Sequence, residues 1–164
     1  MSQRQNFENA VDHATGDYVI TIGDDDSVLP GQYPALKTLL EREKPEAVSW
    51  QSNFYNWPNA YNPNAGRLKI KKSGVFGRPI TVATRDLLDD PQWGLTHSND
   101  ITPRLHHGLI SRVALDKLRA KTGHIHGSGA VDVYFSSAIL SVIDSFIYLR
   151  HPFSMLAMGP AAAG

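Results

Sequence analysis

The stretch DYVITIGDDDSVLPG, residues 17–31, sets three consecutive aspartates at the end of a short apolar run. Tyr18 to Ile22 is β-branched and aromatic, which predicts a buried strand. The run stops at Gly23 and delivers Asp24, Asp25 and Asp26, and Pro30-Gly31 then turns the chain into a helical pattern. Adjacent carboxylates repel one another, so their ionised form is costly unless a cation or several donors sit among them. Hard divalent ions such as Mg²⁺ or Mn²⁺ take carboxylate oxygens and also bind the phosphate oxygens of a nucleotide. An acidic cluster at the carboxyl end of a buried strand therefore suits a metal–phosphate site. The competing reading is a solvated acidic turn.

The rest of the chain alternates helical and strand patterns, which predicts an α/β fold. Phe7, Ala10, Val11 and Ala14 recur at helical spacing, and Thr15-Gly16 supplies the stop. A helix is expected over 31–43 with Leu36, Leu39 and Leu40 inward, then a strand over 47–50. Strand–helix–strand of this length reads as a βαβ unit with parallel pairing. A compact α/β domain normally has a strand before the first helix, so upstream material is expected to be missing.

Residues 51–66, rich in Asn, Pro, Tyr and Trp, read as a long loop. Arg67, Lys69 and Lys71 alternate with Leu68 and Ile70, giving a strand with one basic face, either an edge face or a phosphate contact. A helix is expected over 78–90 and a strand over 103–110. Ser111 is placed to cap a helix running to Lys121, closed by Thr122-Gly123. The loop 124–129 precedes Asp132, a helix over 133–143 and a final strand over 146–155.

The sequence of 164 residues fits one domain with a real core. Sixteen basic residues balance sixteen acidic ones, which argues against a nucleic-acid partner. The absence of cysteine excludes disulfides and thiolate metal sites and is compatible with a cytoplasmic setting. No run of eighteen apolar residues is present, and the first residues show no signal-peptide pattern.

Asp24, Asp25 and Asp26 are the strongest candidates for chemistry, as metal ligands or nucleotide acceptors. Asp132 comes next, as a helix N-cap, a base, or both. His124 and His126 could ligate a metal, but a third ligand is not evident, and loop histidines remain the alternative. His106 and His107 would face opposite sides of a strand, so at most one points to a site. Trp50, Phe54, Tyr55, Trp57 and Tyr61 could stack on a sugar or base, or pack against the sheet. Asp86, Asp89, Asp90 and Asp100 show no partner pattern.

Asn6 to Ala10, then Ala14-Thr15-Gly16-Asp17-Tyr18 and Gly23 to Gly31, resemble the core of family 2 glycosyltransferases of the GT-A fold. Residues 103–112 resemble that family's acceptor-side strand, and Ala130 to Tyr134 falls where it often has an acidic pair before a helix. The resemblance implies a GT-A-like domain over 1–164 with a mixed, mainly parallel sheet flanked by helices, incomplete at its N-terminal strand. Residues 1–50 would form the donor and metal half and 51–164 the acceptor half. It implies inverting sugar transfer from a nucleotide-diphosphate donor to a sugar or lipid-linked glycan acceptor, in cell-surface polysaccharide synthesis. The setting would be cytoplasmic, with peripheral association at the inner membrane face. Asp24 and Asp25 would bind the donor, Asp25 and Asp26 would hold Mn²⁺ or Mg²⁺, and Asp132 would be the catalytic base. Two departures stand out: the first acid of the family's DxD pattern falls on Gly23, and Val131 replaces the common Glu before Asp132. A binding-only GT-A-like fragment and a metal-dependent phosphoryl enzyme are the alternatives.

Overall fold

The computed structural model describes residues 2–58, 65–73, 75–89, 101–127 and 130–159. Tyr61, Asp90, Asp100, Ser128 and Gly129 lie outside them. The elements run α1 (Gln3–His13), β1 (Tyr18–Val19), β2 (Ser27–Val28), α2 (Tyr33–Glu43), β3 (Ala47–Trp50), β4 (Asn53–Asn56) and β5 (Leu68–Lys69). They continue with β6 (Ile80–Ala83), α3 (Thr84–Leu88), β7 (Gly108–Ser111), α4 (Arg112–Thr122), α5 (Val131–Ile139), β8 (Ser145–Leu149) and β9 (Ser154–Met158).

The strands form two mixed sheets, in the orders β1-β7-β3-β8-β6 and β2-β9-β4-β5. The α/β class and the flanking helices match expectation; the pairing differs. β7 lies between β1 and β3 and runs antiparallel to both, so the expected direct β1–β3 parallel pair does not form. Parallel pairing occurs at β3–β8 and β4–β9, and the other described pairs are antiparallel.

The first sheet is covered on both faces, as strand alternation requires. Ala47, Ile110 and Phe146 point into one core with Val11, Leu115, Leu118, Phe135 and Ile139 from α1, α4 and α5. Val48, Trp50, Leu109, Ile147 and Leu149 point into the other, closed by Leu39 of α2. Ser111 caps α4 as expected, its Oγ accepting the Ala114 N–H, and Gly123 ends the helix in the left-handed region at φ 78°. The Arg112 guanidinium then donates to the carbonyls of Val11, Ala14 and Gly16, fastening the end of α1 beside β1.

Several expectations are corrected. The buried strand shrinks to Tyr18–Val19, because past Ile20 the chain leaves the sheet; Thr21 makes only a single bridge, to His106. The long loop contains β4, which pairs with β9 and β5. The helix expected over 78–90 is a strand followed by one short helix, since the β-branched run Ile80-Thr81-Val82 pairs with β8. The final strand is two strands in different sheets, broken around Pro152. The strand expected from 103 begins only at Gly108, and α5 covers Val131–Ile139 rather than 133–143. The basic alternation of 67–71 ends up on β5, an exposed outer strand, where the Lys69 ammonium lies 5.9 Å from the Phe54 ring centre.

Leu118 is fully buried on α4 between α1 and α5, whereas Val133 on α5 is exposed. Leu118→Ala should cost about 2–5 kcal/mol in denaturant unfolding, and Val133→Ala about 0.5 kcal/mol or less. Equal costs would contradict this core.

Candidate functional site

The site forms where the chain passes from the first sheet to the second. Thr21 accepts the His107 N–H at 3.3 Å and donates its own N–H to Leu105 O at 2.8 Å, tying the end of the β1 segment to the turn before β7. Gly23 to Asp26 then cross over to β2.

The three aspartates diverge. Asp24 is exposed. Asp25 accepts the Gly159 N–H at 2.8 Å through Oδ2, and its backbone carbonyl accepts the Trp57 indole N–H at 2.9 Å. Asp26 turns inward, with a side chain only 1% exposed. Its Oδ2 accepts the Gly23 N–H at 2.7 Å and its Oδ1 the Ala157 N–H at 2.8 Å. His106 Nε2 and His107 Nε2 lie 3.2 Å and 3.0 Å from the same Oδ2.

Both histidines reach Asp26, which strand alternation had excluded. His107 adopts φ 57°, in the left-handed region, and this rotates its ring out of the alternating pattern. The following Gly108 is obligatory: a Cβ there would lie 2.3 Å from Arg104 O and 3.1 Å from Val48 O. The tight turn 104–108 thus sets the two rings edge to face with centres 4.5 Å apart. His107 Nδ1 lies 2.8 Å from Ser154 Oγ, which also accepts the Trp50 indole N–H at 2.8 Å. Burial, with the neighbouring His106 adding to it, pulls the His107 pKa down to about 4; Asp26 opposes this without reversing it. His107 is therefore neutral at physiological pH.

Gly23 is fitted to this loop. A Cβ at Gly23 would sit 2.9 Å from both Asp25 Oδ1 and Asp26 Oδ2. The glycine leaves a small cradle rimmed by the carboxylate oxygens of Asp25 and Asp26. Asp26, His106 and His107 form a possible ligand set, with one atom from each within 4.8 Å of the others.

Asp132 occupies the other side. It is the second residue of α5, not its N-cap; the cap is Ala130, which makes no side-chain cap bond. Its carboxylate is exposed, and with Glu8 it pulls the His126 pKa upward against the larger lowering caused by burial. The loop leading to Asp132 is held by Glu8, whose Oε1 accepts the N–H groups of Ile125 and His126 at 2.7 Å and 2.6 Å. Phe7 touches both sides, its ring centre 6.4 Å from that of His106 and 5.5 Å from that of His126. His124 stacks on Tyr134, with its Nε2 3.1 Å from the phenol oxygen, and does not meet His126 in a metal cluster among the described residues.

Against this geometry, the family model described as glycosyl transferase family 2 matches residues 3–98, a span that includes the whole aspartate loop. The chain belongs to glycosyl transferase family 2. No curated protein matches the chain.

The residue pattern itself led to the aspartate loop but not to its inner partners. Glu8 and Ser154 were not singled out, at most one of His106 and His107 was expected at a site, and Trp50 was read as a stacking or packing residue. The one signal for His107 is the His106-His107-Gly108 sequence, in which a glycine after two polar residues permits a sharp turn where a strand was read. Trp50 is core, as the packing alternative held, and Trp57 serves the loop through its N–H. Asp86 and Asp89 lie exposed at α3, apart from the aspartate loop.

His107 gives stability a definite pH dependence. Its folded pKa of about 4 lies below the ordinary value of 6.5, so as pH falls the unfolded chain takes the proton first. The contribution is full above pH 6.5 and is lost toward pH 4, and lowering of the His126 pKa acts in the same direction. For His107 the loss is about 3 kcal/mol. Denaturant unfolding of chelator-treated protein at pH 7 and at about pH 4 measures it, and His107→Gln should flatten most of that slope; an unchanged slope would refute the assignment.

Proposed function

We propose that this family 2 domain transfers a sugar from a nucleotide-diphosphate donor to an acceptor hydroxyl with inversion, using the aspartate loop for the donor and Asp132 as base. The observation that carries the reading is the family match across the aspartate loop, where the Gly23 cradle leaves room beside Asp25 Oδ1. Asp24 and Asp25 bind the donor side, and Asp25 is the principal ligand for its cation. Bound there, Mn²⁺ or Mg²⁺ would supply positive charge to the leaving diphosphate.

The acceptor oxygen attacks the anomeric carbon as the bond from that carbon to the diphosphate oxygen breaks, and the electron pair leaves with the diphosphate. Asp132 takes the acceptor proton. Support for that role comes from its exposure at the first turn of α5. Gly159 and Trp57 hold Asp25 in place through its Oδ2 and its carbonyl, so the chain orients that residue before the donor arrives. We further place the acceptor among sugars and lipid-linked glycans of surface-polysaccharide assembly, reached by peripheral contact with a membrane. No described helix is long and apolar enough to cross one.

Calorimetric titration of UDP in the presence of Mn²⁺ tests the donor side. Binding is expected in the wild type and should fall at least tenfold in Asp25→Asn; a folded wild type that binds no nucleotide would overturn the reading. Asp132→Asn should leave that binding intact and lower turnover roughly 10²–10⁴-fold.

A further inference from the structure

We propose that Asp26, His106 and His107 form a second metal centre, selective for a borderline divalent cation such as Zn²⁺ and adjoining the donor-side cation at Asp25. The inference goes beyond the donor reading and does not depend on it.

Donor chemistry is the first argument. Two imidazole nitrogens and one carboxylate oxygen suit Zn²⁺ or Co²⁺, whereas Mg²⁺ and Mn²⁺ favour oxygen-rich sets such as the outer aspartates offer. Geometry is the second. Bonds of about 2.0–2.1 Å in a tetrahedral site place ligand atoms about 3.3 Å apart. His106 Nε2 and His107 Nε2 stand 3.2 Å and 3.0 Å from Asp26 Oδ2 before any ion is counted. Three protein ligands leave a fourth position for water or another donor. His106 is the accessible member, at 21% side-chain exposure.

An independent observation points to a ligand. His107 is 2% exposed, and its Nε2 lies 3.0 Å from Asp26 Oδ2 without the alignment of a hydrogen bond. A buried ring nitrogen whose contact is poorly aligned is costly. The outer contacts explain how a cation would resolve it. The Trp50 indole can only donate, so it takes one lone pair of Ser154 Oγ; the other can accept His107 Nδ1–H. In that tautomer the Nε2 lone pair faces a carboxylate oxygen, an arrangement that is favourable with a cation between them. Ser154 thereby holds the ring in place as outer partners of metal-bound histidines do. The strained left-handed backbone of His107 is what brings its ring to Asp26.

The test is titration of Co²⁺ into chelator-treated protein without nucleotide, followed by visible absorption. One equivalent should give ligand-field bands of a four-coordinate site, and Zn²⁺ should displace them. The bands should persist in Asp25→Asn and fall at least tenfold in apparent affinity in His107→Gln and in the more exposed His106→Ala. Absence of bands in the folded wild type would overturn the proposal, as would bands lost in Asp25→Asn but kept in both histidine variants. Since UDP plays no part, failure here leaves the donor reading standing, and failure of UDP binding leaves this centre standing.

Discussion

A carboxylate at 1% exposure is the constraint around which the site is built. Taking an ionised aspartate out of water costs several kcal/mol even after relaxation. Asp26 offsets that with two backbone N–H groups, each such charge-assisted bond contributing about 1.5–3 kcal/mol. Those groups belong to Gly23 in its own loop and to Ala157 in β9, so the carboxylate joins the crossing segment to the second sheet. The contacts continue through His107 and Ser154 to Trp50, deep in the first sheet. Loop position, sheet-to-sheet registry and the ring of His107 are therefore one linked arrangement. Beside Asp26, Asp24 is exposed and Asp25 is half-buried against Gly159.

The opposite side is organised by α1. Glu8 accepts two successive loop N–H groups, and Arg119 of α4 bridges Glu8 and Asp12. The loop before α5 thus takes its position from a helix near the start of the chain, and Arg112 secures the far end of that helix. Phe7 projects from the same helix between His106 and His126. A shift of α1 would be felt at both the aspartate loop and the approach to Asp132.

Local pattern was readable where local forces decide the outcome. The β3 run, the α4 cap at Ser111 and the Gly123 stop all appear as expected, because apolar runs, a capping hydroxyl and a left-handed glycine act within a few residues. Pairing was not readable. β7 inserts between β1 and β3 although about sixty residues separate it from β3, and no local signal carries that choice. The split of the last strand has the same origin, since β8 and β9 differ in partner more than in composition. At the site, the aspartate run announced itself as charge in need of donors or a cation, whereas Asp132 read as a cap or a base. Ser154 and Trp50 look like ordinary strand residues, and Glu8 like one more charge on a helix. Their roles arise only where distant segments meet.

Gly23 has a consequence for how such a loop can change over generations. The space its missing side chain leaves is the space that the oxygens of Asp25 and Asp26 close upon. A side chain at position 23 and the inward carboxylate at position 26 compete for one volume. Neither state passes to the other by one favourable substitution: the side chain gained first is crowded, and the carboxylate lost first strands the Gly23 and Ala157 amides. Positions 23 and 26 are thus coupled through that shared space.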